Sequence, residues 1–91
     1  MDFKESTLEH AIIYLAYVKA VSKKFSMHIG AFSEKGIFDE AEQALIESLQ
    51  IGFMRLDGEF EQAIEHCLAR TDKQEHILLA INATLKKQEL I

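Results

Sequence analysis

The sequence predicts an all-α fold, a three-helix antiparallel bundle built as a long helical hairpin plus a C-terminal helix. Three observations carry that reading. There is no proline among 91 residues, and long helices reject proline because it deletes a hydrogen bond and clashes with the preceding turn. Apolar residues return at spacings of three and four along three separate segments, the period of a helix face. Each of those segments opens on the same pattern, an Asp or Ser placed three residues before a Glu, which satisfies the orphan donors of a helix start reciprocally.

The first helix is expected over residues 7–35. Ser6 with Glu9 caps its start, and Lys35-Gly36 closes it with a cation in the last turn and a glycine beyond. Tyr14, Val18, Val21, Phe25, His28 and Phe32 repeat in the rhythm of a packed helical seam. Leu8, Ile12 and Leu15 form a second stripe, and residues 11–18 are apolar without interruption. A segment apolar all round must be covered from more than one side. Leu8, Ile12, Ile13 and Tyr17 do not fit easily into one small core, so they are assigned to a partner surface.

The second helix is expected over residues 40–70, capped by Asp39 and Glu42. Ala41, Leu45, Leu49, Phe53, Leu56, Phe60, Ala63 or Ile64, and Cys67 make its continuous apolar face. Gly52 and the Asp57-Gly58 pair weaken it, since glycine costs about 1 kcal/mol relative to alanine in a helix interior, and a break there would give a fourth helix. The third helix, over residues 73–89, is capped by Asp72 and Glu75 and offers Ile77 or Leu78, Ile81 and Leu85. Connections this short favour antiparallel neighbours.

A chain of this length is one domain with a modest core, to which dimerisation would add stability. Hydrophobic residues at 48% and charged residues at 27% exclude a disordered chain. The lone Cys67 cannot form an internal disulfide, which points to a reducing, cytoplasmic compartment. The apolar run falls short of the roughly 20 residues a membrane span needs, and residues 1–6 lack the basic start of a secretory signal. The formal charge of −5 sits in the middle of the chain: residues 37–70 hold two cations, Arg55 and Arg70, against eight acids. That balance disfavours nucleic acid as a partner and leaves a basic protein surface open.

Motifs with chemistry are sparse. No two histidines stand four apart and no Glu stands three before a His, so the helical spacings that bring two metal ligands onto one face are missing. No metal or other cofactor is implied. His28, on the seam, reads as a hydrogen-bonded core or interface residue, while His10 and His76 read as solvated. Cys67 on an apolar face reads as a buried structural thiol. No glycine-rich phosphate loop or nucleophile elbow is present.

The stretch Arg70-Thr71-Asp72-Lys73-Gln74-Glu75-His76 resembles the Arg-to-His spacing of HEPN-type ribonucleases. That resemblance implies an Arg70 that stabilises phosphate charge and a His76 that handles the proton of a ribose 2′-hydroxyl. Read from the residues alone, the same pair is a helix stop and an exposed histidine. Glu59, Glu61 and Glu65 read as a solvated acidic face, or as a mimic of a polyanion that occupies a basic groove.

The functional expectation is a small acidic interaction protein, a regulator, adaptor or inhibitor without catalysis. It would homodimerise through helix 1 or bind another protein, using Leu8, Ile12, Ile13, Tyr17, Glu59, Glu61 and Glu65.

Overall fold

The computed structural model describes residues 7–91 as three α-helices: α1 (Leu8–Glu34), α2 (Glu40–Leu68) and α3 (Gln74–Lys87). The three-helix bundle is as the sequence predicts, and each boundary falls within about two residues of its expected place. Thr7 caps α1 by accepting from the His10 amide at 3.2 Å; Ser6, the cap expected from the sequence, lies outside the described residues. At α2 the capping box forms in full. Asp39 Oδ1 accepts from the Glu42 amide at 2.8 Å, and Glu42 Oε1 accepts from the Asp39 amide at 3.0 Å. The third box does not form. The residue before α3 is Lys73, whose amide donates to Thr71 Oγ1, while the Gln74 side chain donates back to the Leu68 carbonyl. A compact turn that ties α3 to the end of α2 thus replaces the Asp72 cap.

Helix α1 closes on Lys35, and Gly36 reverses the chain at φ +66°, a left-handed conformation that glycine adopts without steric cost. Helix α2 runs unbroken through Gly52 and Gly58, so no fourth helix exists among the described residues. Tertiary packing supplies what the two glycines withhold.

The core is small and lies at one end. Ile12, Ile13 and Ala16 from α1, Ile64 from α2 and Ile77 from α3 are its buried members, with Ile12 at 0% and Ile77 at 1% exposure. Leu8, Leu15, Cys67, Leu68, Ala80 and Ile81 pack around them. Burying a side chain of this size contributes about 1.5–3 kcal/mol. This arrangement corrects the placing of Ile12 and Ile13 on an outer surface. Helix α3 folds back against the N-terminal half of α1 while α2 lies along another side, so two helices of the same chain cover the uninterrupted apolar run.

The hairpin register follows from cross-helix contacts. Lys19 Nζ reaches Asp57 Oδ1 and Glu61 Oε2, each at 3.3 Å. A Cβ on Gly30 would stand 3.0 Å from the Gln50 side-chain nitrogen, and Ser33 accepts a hydrogen bond from the Gln43 side chain. The molecule is elongated, 50 × 24 × 24 Å, with a radius of gyration of 16.1 Å. A compact chain of this length would have about 12 Å. Among the described residues no helix is long and apolar enough to cross a membrane.

Candidate functional site

Three directions around α1 are used differently. Lys19, Gly30 and Ser33 point at α2, as the contacts above fix, and Ser26 falls on the same side by helical spacing. Ile12, Ile13 and Ala16 point into the core shared with α3. At 100° per residue, Tyr14, Val18, Val21, Phe25 and Phe32 fall on the remaining side. On α2 the residues that meet α1 are Gln43, Gln50, Asp57 and Ile64, and Leu45, Leu49 and Leu56 lie about 100° away round the helix. Because both helices are right-handed and run in opposite directions, that offset carries the α2 row to the side of the α1 row, away from α3.

The result is one two-helix apolar face. Tyr14, Phe25 and Phe32 are 42–55% exposed and Leu45, Leu49 and Leu56 are 38–67% exposed. The expected seam is therefore corrected: Tyr14, Phe25, His28 and Phe32 are exposed, and the residues that occupy the hairpin interior opposite α2 are Ser22, Ser26, Gly30 and Ser33, all half-buried. At Gly30 the missing side chain leaves room for the Gln50 side-chain amide, and the larger apolar side chains stand outside. The stripe of small residues was visible in the sequence as the signal for the true interface, but the heavier apolar repeat beside it masked it.

Along α2 the face carries a shallow groove of about 480 Å³, lined by Leu45, Ser48, Leu49, Gly52, Phe53 and Leu56. No atom outside the helix's own local backbone comes within 4 Å of where a Cβ of residue 52 would stand. Tyr17, half-buried, continues the face at one end, its ring centroid 6.4 Å from that of Tyr14. A second groove, about 640 Å³, lies on the opposite side between α1 and the end of α3. Its floor includes Ile81, Leu85 and the chain's own Leu90, with Lys23, Lys24 and His28 at the rim.

The polar candidates separate. Burial pulls the Lys19 pKa down, but hydrogen bonds and charge from Glu61 and Asp57 outweigh it, so the ammonium titrates above the ordinary lysine value. Glu61 is thus engaged within the chain, while Glu59 and Glu65 are exposed. His76 Nε2 pairs with Glu9 Oε1 at 3.1 Å across the α1–α3 junction. Arg70 lies in the turn after α2, its amide donating to the Cys67 carbonyl, and among the described residues no hydrogen bond joins it to His76. Cys67 is half-buried against the core. Among the described residues no three His, Cys, Asp or Glu side chains converge as a metal site would require. No family model matches the chain, and no curated protein or solved structure shows significant similarity to it.

Proposed function

We propose that this protein is a helical interaction module that binds a protein surface through the apolar face of the α1–α2 hairpin, without catalysis of its own. The observation that supports this reading is the extent of that face. Three partly exposed aromatic side chains, at about 150–250 Å² each, present about 300 Å², and the three leucines on α2 add a similar amount. Monomeric soluble proteins rarely leave more than a few hundred Å² of contiguous apolar surface uncovered, and larger patches mark association sites. Tyr17 belongs to this proposed surface as an extension of Tyr14. Ile12 and Ile13 act from beneath it, as the core that holds the hairpin's base. Glu59 and Glu65 stand outside the apolar rows, where charges set orientation and encounter rate more than affinity.

The test compares the chain with Leu49→Glu, which places a charge in the middle of the face, and with Leu79→Glu, which does the same on the outer side of α3, where Leu79 is exposed. Each is immobilised and the proteins it retains are quantified. Retention lost with Leu49→Glu and kept with Leu79→Glu, at equal helicity by circular dichroism, is the expected outcome. Equal retention by all three would overturn the assignment.

A further inference from the structure

We infer that the hairpin face is covered by a second copy of this chain, packed so that α1 of each protomer lies over α2 of the other in an all-antiparallel four-helix bundle. The inference rests on the interaction reading above and specifies its partner.

Four features converge on it. The first is area: the six exposed side chains, with half-buried Val18, Val21, Phe53 and Phe60 between them, approach the roughly 800 Å² that each partner contributes to a standard interface. The second is charge. Tyr14, Val18, Val21, Phe25, Phe32, Leu45, Ser48, Leu49, Gly52, Phe53 and Leu56 include no ionisable group apart from the Tyr14 phenol, on a chain whose net charge is −5. Apart from the Lys35 ammonium, 5.2 Å from the Phe32 ring centroid at the loop end, a charged partner would find nothing there to pair with, whereas a copy meets a largely neutral surface.

The third is shape. Gly52 is a costly residue in a helix interior, and nothing in its own chain needs the space. The register that pairs Lys19 with Asp57 and Gly30 with Gln50 sets Phe25 level with Gly52. A two-fold axis parallel to the helices then brings Phe25 of each copy over the Ser48–Gly52 groove of the other. A large ring meets the place where a side chain is missing, and both contacts form at once, as an isologous interface requires.

The fourth feature selects this arrangement over its alternative. Helix α2 carries seven acids against Arg55, and α1 carries Lys19, Lys23 and Lys24 against two acids. Lys19 is paired within its own chain and Lys23 and Lys24 line the opposite groove, so the selection comes from the acidity of α2: placing like helices together would stack the two acidic ones, and placing α1 over the second copy's α2 avoids it.

The experiment is light scattering during gel filtration over a tenfold concentration range, with circular dichroism on the same samples. Wild type is expected at twice 10.4 kDa. Gly52→Leu fills the groove where its own chain leaves open space, and should raise the dimer dissociation constant at least tenfold with helicity kept. Leu45→Glu, at an exposed position, should do the same by charge. The decisive variant combines Phe25→Ala with Gly52→Leu. It restores dimerisation if ring and groove meet between chains.

A wild-type dimer indifferent to Gly52→Leu and Leu45→Glu would overturn the face. A dimer broken by both without rescue by Phe25→Ala would overturn the Phe25 register. A wild-type monomer would overturn self-pairing. In that case, retention of another protein that Leu49→Glu abolishes would leave the interaction reading standing, and its absence would end both.

Discussion

Of the three lysines on α1, Lys19, Lys23 and Lys24, Lys19 is the one that reaches across the hairpin, and its pairing makes the stability of the fold depend on pH. Its folded-state pKa lies above the lysine value of 10.5, so the protonated form is favoured by folding. The stability it contributes is therefore complete below pH 10.5 and is lost as pH rises through the folded value. Urea melts between pH 8 and pH 11.5 should show a decline above pH 10.5 that Lys19→Met lacks. A parallel decline in the variant would assign the effect to other groups. At this scale the sequence was partly legible: pairing between a helix 1 lysine and the acids of helix 2 could be anticipated. That Lys19 would take both carboxylates, and Lys23 and Lys24 neither, depends on the hairpin register, which side-chain type alone does not specify.

Among the elements, helix caps separate what local sequence decides from what packing decides. Asp39-Glu40-Ala41-Glu42 and Asp72-Lys73-Gln74-Glu75 have the same spacing, yet only the first forms a capping box. The turn before α3 is drawn into shape by Gln74 and Thr71, with Lys73 rather than Asp72 at the cap position and no side-chain capping bond made there. Asp39→Ala should cost about 1 kcal/mol, and Asp72→Ala should change the melting temperature by no more than measurement error. Equal losses would mean that Asp72 caps α3 after all. Element existence and extent were legible because three-to-four periodicity and caps are local properties. The inward side of α1 was not, because two apolar or small stripes competed, and the position of α3, a non-local property, decided between them.

At the scale of the whole molecule, buried residues cluster at one end and the hairpin projects from it. Opening free energy in a protein follows burial and local contact density. In dilute solution, where a single chain predominates, amide hydrogens around Ile12, Ile64 and Ile77 should exchange slowest, and those of residues 40–50 should exchange at least tenfold faster. Raising the protein concentration should slow the second set if the face becomes covered; exchange rates uniform along α2 at both concentrations would contradict the picture. The candidate site was the least legible part of the sequence. Leu45, Leu49, Phe25 and Phe32 read as core in the sequence, since an apolar helix face carries the same pattern whether it packs on its own chain or on another molecule; Gly52 reads only as a weak point of the helix, and nothing marks Ser48.

A one-ended core also divides the chain by what each part answers to. Around Ile12, Ile13, Ala16, Ile64 and Ile77, a change of one methylene is felt by folding itself. Along the outer row of the hairpin, Leu45, Leu49 and Leu56 could each become polar with little loss to the isolated chain, because water already reaches them. Tolerance to substitution thus becomes a record of external company: a position in that row that resists change reports contact with something beyond its own chain.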